Sequence, residues 1–205
     1  MYKFEKDFPL NADLNENLLS TFHFYWTNCL DSDTVDELIR LGDASRITDA
    51  KIGTPDNQDK YDVIRKSRVG WIYRENNETI YNKIIEILIR VNYHNFGFKI
   101  DSAEALQYSI YEDAGHYNYH HDIHFSNGYK MRKLSASICL SNASDYQGGE
   151  LELVHYGDYE RNFLKFKMNK GDMVVFPSWV THKVNPTTSG TRKSIVVWAS
   201  GPKFI

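Results

Sequence analysis

The sequence predicts a mainly β protein, a sandwich or barrel of short strands, packed against a mostly helical N-terminal half. Three observations predict it. From Ala105 onward, β-compatible runs (LQYSIY, KLSASICL, GELELVHY, NFLKFKM, DMVVFPSW and RKSIVVWAS) are separated by Gly, Asn, Asp and Pro turn signals. Alternation is clearest at Glu150-Leu151-Glu152-Leu153. Before Ala105 the apolar residues recur at helical spacing instead.

The first helix is expected in DSDTVDELIRLG, with acidic residues at its front, apolar Val35, Leu38, Ile39 and Leu41, and Gly42 as its stop. The polar stretch from Asp43 to Arg68 reads as a surface loop, with Arg65, Lys66 and Arg68 solvated. A longer helix is expected from about Asn77 to Val91, burying Ile80, Ile84, Ile87, Leu88 and Val91. No Pro/Ser-rich linker divides the chain. Residues 1–205 are therefore expected to form one domain, with 1–104 as mainly helical support and 105–205 as the β-core.

Composition narrows the function. The 205 residues carry a net charge of -3, and 41% are hydrophobic, so no global basic character points to a nucleic-acid partner. Cys29 and Cys139 are far apart, which argues against a disulfide framework or a cysteine metal knot. The N-terminal stretch lacks the apolar run of a signal peptide, and no run reaches membrane-spanning length. The expectation is a cytoplasmic protein with no membrane partner. No heptad indicates an oligomeric state.

The segment YNYHHDIH sets three histidines and an aspartate within Tyr117–His124. On a helix, His120 and His124 would share a face at zinc-protease spacing, but His121 stands where that chemistry needs a glutamate. On a strand, His120 and Asp122 project to the same side and need a third ligand from elsewhere. The best distant candidate is His182 in KGDMVVFPSWVTHKV. Two histidines and one carboxylate suit non-haem iron with open positions. Arg192, ten residues on in NPTTSGTRKSIVVW, would return on an adjacent strand, where its guanidinium could hold a carboxylate through two parallel bonds.

Together these pieces resemble the iron(II)/2-oxoglutarate-dependent dioxygenases, specifically the prolyl-4-hydroxylase-like group and its small bacterial and phage relatives. Tyr111, Gly115, Tyr117, His120 and Asp122 resemble that family's Y-x-x-G-x-Y-x-x-H-x-D pattern. The paired glycine of SICLSNASDYQGGELEL, the Gly-Asp turn of KGDMVVFPS, His182 followed by Val184 and Pro186, and the closing Gly190, Arg192 and Ser194 follow in the family's order.

The resemblance implies a double-stranded β-helix, or jelly roll, supported by N-terminal helices. It implies Fe(II) held by His120, Asp122 and His182, with 2-oxoglutarate and dioxygen as cosubstrates. Arg192 would bind the far carboxylate of 2-oxoglutarate, helped by Tyr111 or Tyr108, while Tyr117 and Ser194 belong to the same pocket. His124 and Trp198 are expected at the substrate side, and His155 has no fixed place. The implied reaction is hydroxylation of an unactivated C–H bond, first of a prolyl residue in a peptide or protein. A free amino acid or other small molecule, or a noncatalytic cupin-like metal-binding module, are the alternatives.

Overall fold

A computed structural model of the chain describes residues 22–50, 64–126, 130–154 and 163–203. His155 lies outside them, as does much of the stretch expected as a surface loop. In chain order the elements begin with β1 (Phe24–Trp26), α1 (Ser32–Ala44), β2 (Thr48–Asp49), β3 (Arg65–Lys66), β4 (Arg68–Ile72) and α2 (Glu78–Asn95). Then come β5 (Ser102–Ala103), β6 (Leu106–Tyr111), β7 (His116–His120), β8 (Phe125–Ser126), β9 (Lys130–Cys139) and β10 (Tyr146–Gly148). The chain closes with β11 (Leu151–Val154), β12 (Phe163–Phe166), β13 (Met173–Pro177), β14 (His182–Val184), β15 (Thr187–Gly190) and β16 (Arg192–Pro202).

Among the described residues, all pairings between strands are antiparallel. The larger sheet runs β1-β13-β9-β16-β6-β4-β2, with β5 beside β16 and β8 beside β9. The smaller runs β12-β11-β14-β7-β3, and β10 pairs with β15 separately. Strands from the N-terminal half thus enter both sheets. Arg65, Lys66 and Arg68, expected to be solvated in a surface loop, instead form β3 of one sheet and the start of β4 in the other.

Strand alternation divides the larger sheet's residues between two compartments. On β16, Ile195, Val197 and Ala199 join the core beneath the helices, while Arg192, Ser194, Val196 and Trp198 face a cavity. On β6, Leu106, Tyr108 and Ile110 join that core, while Gln107 and Tyr111 face the cavity. The helices cover the first compartment. Asp31 caps α1 by accepting from the Thr34 backbone N–H at 2.8 Å and its hydroxyl at 2.6 Å. Gly42 does not stop this helix. It lies within it, where a side chain would collide with the Tyr108 ring, so it permits close helix–sheet approach. In α2 the expected Ile84, Leu88 and Val91 are buried, joined by Tyr81 and Ile85, while Ile80 and Ile87 lie at the margin of the core. Between the two sheets, Leu151, Leu153, Val174, Phe176 and Val184 form a second apolar cluster. The cavity opens beside it.

Candidate metal and cosubstrate site

The site begins with a register. On the smaller sheet His182 of β14 lies directly opposite His120 of β7, and their rings sit 4.1 Å apart, centroid to centroid. Asp122 lies just past the end of β7, anchored by its backbone N–H to the Ser178 carbonyl at 2.9 Å. One oxygen of its carboxylate is 3.7 Å from His120 Nε2, and the other is 3.5 Å from His182 Nε2. Ligand atoms of all three side chains fall within 4.8 Å of one another.

The histidines are oriented for a cation. His120 Nδ1 donates to the Asn118 carbonyl at 2.8 Å, and His182 Nδ1 donates to the Val180 carbonyl at 2.9 Å. A carbonyl only accepts, so both protons sit on Nδ1 and both Nε2 lone pairs face Asp122. Burial pushes the His120 pKa down to about 3, and the neighbouring His182 charge adds to that, so the ring stays neutral. Burial works to raise the Asp122 pKa, but its electrostatic coupling to the His182 and His120 imidazoles outweighs that and holds the carboxyl below its ordinary range. The Trp198 indole N–H is close enough to help hold that charge without completing a hydrogen bond.

Beside the triad is a cavity of about 330 Å³. Arg192 lines it and is 1% exposed, the largest fully buried side chain among the described residues. Its Nη1 donates to Ser194 Oγ at 3.2 Å, its Nη2 has no partner, and no carboxylate among the described residues lies in ion-pair range. A buried guanidinium without an anion is costly. The observation fits a cosubstrate that brings its own carboxylate. Asp122 Oδ2, likewise buried without a hydrogen bond, fits a bound metal ion.

The other expected residues divide cleanly. Tyr111 lies opposite Arg192 across β6 and β16 and lines the cavity, with the guanidinium carbon 5.5 Å from its ring centre. Tyr108 points the other way and donates to Asp43 at 2.7 Å. Tyr117 stacks on His120 with ring centres 3.4 Å apart. Ser194 and the buried Trp198 line the cavity, and exposed His124 stands at its edge. Trp179 is 42% exposed and packs against Phe98 instead. His121 is exposed at the cavity edge, because the chain leaves the extended strand after His120.

Arg65 overturns its reading as a solvated loop residue. It is 9% exposed, paired across strands with Tyr117, and its guanidinium carbon lies 4.5 Å from that ring's centre. Sequence reasoning also gave no role to Gln107, Arg132 or Phe176, which line the cavity. Period-2 alternation with Tyr111 could have found Gln107. Nothing local marks Arg132, whose place depends on packing over the Trp198 ring at 3.9 Å.

Comparison with known proteins agrees with this geometry. The profile of the 2OG-Fe(II) oxygenase superfamily matches residues 106–200, which contain the triad and Arg192. Over that segment, a little under half of its length, the chain is similar to that superfamily. A PKHD-type hydroxylase of Idiomarina loihiensis is 25% identical over 182 residues, covering 84% of this chain and 74% of that protein. One from Colwellia psychrerythraea is 40% identical over 65 residues, covering 32% of this chain and 27% of that protein. The chain thus spans about a quarter of the Colwellia relative's length and about three quarters of the Idiomarina relative's.

Among solved structures, a Pseudomonas putida prolyl-4-hydroxylase superposes with a TM-score of 0.68 at 21% identity, over 90% of this chain and 95% of that one. A Trichoplax adhaerens prolyl hydroxylase, in complex with a hypoxia inducible factor peptide fragment, gives 0.69 at 17% identity, over 89% and 85%. These likenesses establish the jelly-roll fold that the resemblance implied. The superfamily's Fe(II) and 2-oxoglutarate are the groups that the triad and the buried arginine fit. No described helix is long and apolar enough to cross a membrane.

Proposed function

We propose that the chain is an Fe(II)/2-oxoglutarate-dependent hydroxylase acting on a prolyl residue of a peptide or protein. The observation that carries the hydroxylase reading is the convergence on one cavity of the triad and the Arg192 guanidinium, which has no carboxylate partner among the described residues. His120, Asp122 and His182 would hold the metal by one face, leaving positions for exogenous ligands. When bound, the metal and cosubstrates supply oxidising chemistry that converts 2-oxoglutarate and dioxygen to succinate and carbon dioxide while a substrate C–H becomes C–OH.

The chain's own contribution is orientation. Backbone carbonyls at Asn118 and Val180 fix the imidazoles, and Tyr117 braces the His120 ring. Arg192, steadied by Ser194, would hold the distal carboxylate of 2-oxoglutarate, with Tyr111 beside it. The apolar walls at Leu151, Phe176 and Val184 would limit water around the reacting carbon. The prolyl reading draws support from the two prolyl hydroxylases that share the fold, one of them holding a peptide.

The test is anaerobic loading with Fe(II) and 2-oxoglutarate, then oxygen exposure with candidate peptides. Mass spectrometry should find stoichiometric succinate and a peptide heavier by one oxygen on proline, both lost in His182→Ala. A product confined to free metabolites would reject the peptide substrate. Absence of succinate with every substrate would reject the hydroxylase reading.

A further inference from the structure

Among the described residues, four of the six buried side-chain polar atoms without a hydrogen-bond partner belong to residues that line the metal-site cavity: Asp122 Oδ2, Arg192 Nη2, Trp198 Nε1 and Arg65 Nη2. Buried polar groups are nearly always paired, so each of these calls for a partner. A metal ion accounts for Asp122, beside which the Trp198 N–H already lies. The distal carboxylate of 2-oxoglutarate accounts for Arg192. Its other carboxylate belongs with the metal, so the cosubstrate has no acid group left for Arg65.

Arg65 is built to present that remaining N–H. Its Nε donates to Ser67 Oγ at 2.8 Å, and the guanidinium lies over the Tyr117 ring, 4.5 Å from its centre. Those two contacts fix the fork, leaving Nη2 buried and unpaired. Arg132 provides the contrast within the same cavity. It is already paired through two bonds of 2.6 Å to Glu104, and needs no ligand. No carboxylate among the described residues forms an ion pair with Arg65.

We infer that Arg65 is a substrate-specificity residue that binds a carboxylate on the substrate, close in the chain to the carbon being oxidised. The Tyr117 ring beneath it also stacks on the metal-ligand candidate His120. The acid therefore belongs within one or two residues of the reacting carbon. This rests on the hydroxylase reading above and narrows its substrate class. The carboxylate could be an Asp or Glu side chain of a peptide, or the α-carboxylate of a C-terminal or free amino acid, and charge-assisted pairing would recognise either.

The test is calorimetry on protein loaded with Mn(II) and 2-oxoglutarate without oxygen. Its arms are short proline peptides carrying Asp or Asn at each flanking position, C-terminal acids against amides, and free proline. At one position the acid should bind at least tenfold tighter than its neutral counterpart, and which arm responds names the source. Arg65→Gln should abolish that ratio while leaving 2-oxoglutarate affinity intact, Arg65→Lys should keep part of it, and Arg65→Glu should favour a Lys peptide. Equal affinity of acid and neutral ligands throughout the wild-type panel would overturn the inference, whether or not the variants fold. So would an acid preference that survives in Arg65→Gln. Failure of the prolyl reading looks different: the acid preference would persist with alanine in place of proline, and no oxygenated proline would form on admitting oxygen.

Discussion

Two acidic side chains on opposite faces of the smaller-sheet region, Asp122 and Glu152, are both hidden from solvent, at 7% and 1% exposure. Their surroundings differ completely. Glu152 lies just under the surface, screened by lysine stems. It accepts from the Tyr119 hydroxyl and from Asn185 Nδ2 at 3.3 Å, with Lys183 Nζ at 3.3 Å and Lys165 Nζ at 3.6 Å. Lys165 and Lys183 lie directly opposite Glu152 on the two flanking strands. Asp122 faces inward between two imidazoles that present lone pairs, and one of its oxygens has no hydrogen bond. A satisfied buried charge tells of structure, whereas an unsatisfied one beside other unsatisfied atoms tells of a ligand.

The comparison can be broken most forcefully at Asp122. Asp122→Ala should lower metal affinity by more than roughly a hundredfold, the upper end of what even residues behind the ligands are worth. The metal-induced rise in melting temperature should vanish with it, while the metal-free protein still folds. A metal isotherm matching wild type would mean that Asp122 is only a buried acid. The mirror-image change is Glu152→Gln, which should cost about 1–3 kcal/mol of stability, as expected when buried donors lose a charged acceptor. Denaturant melts should record that loss, and metal affinity should stay within a few-fold of wild type. Loss of metal binding in Glu152→Gln would merge two roles that the structure keeps separate.

A smaller effect sharpens the same contrast through pH. The folded His120 pKa is depressed to about 3, against roughly 6.5 for an unperturbed histidine. In the metal-free protein the unfolded chain takes up that proton first. The stability His120 contributes is therefore complete above about pH 6.5 and declines as pH falls toward 3. The stability Glu152 contributes, its pKa also depressed in the folded state, is complete above the ordinary glutamate range, near 4.3, and is lost only as pH falls below it. Melts of His120→Gln should lose the upper part of the acid slope, and melts of Glu152→Gln the lower part. A wild-type slope that begins only below pH 5 would contradict the assignment to His120.

What the sequence made legible followed from local patterns. The β6 run LQYSIY coincides with its strand, and the core runs of β9, β13 and β16 were visible as apolar stretches between turn signals. The triad was legible because His120 and Asp122 lie close together, leaving a single distant histidine to find. Long-range pairing hid the rest. Tyr111 was favoured, but Tyr108 stayed a candidate until pairing with β16 set Tyr111 opposite Arg192. Arg65 looked solvated because its cover, Tyr117, comes from another strand. Glu152 sits in an alternating Leu-Glu-Leu pattern that normally marks a solvent face, yet Lys165, Lys183 and Tyr119 close over it.

The central claim is that the unpaired atoms of the cavity belong to a metal ion and to 2-oxoglutarate. The most direct measurement is an anaerobic titration of 2-oxoglutarate into Mn(II)-loaded wild type, Arg192→Ala and Arg192→Lys, with metal affinity measured on the same samples. The account predicts cosubstrate binding that requires the metal and weakens roughly ten- to a hundredfold in Arg192→Ala, the worth of a charge-assisted bond. Arg192→Lys should fall between, and metal affinity should be unchanged in both. Equal 2-oxoglutarate affinity in wild type and Arg192→Ala, or binding that ignores the metal, would contradict it.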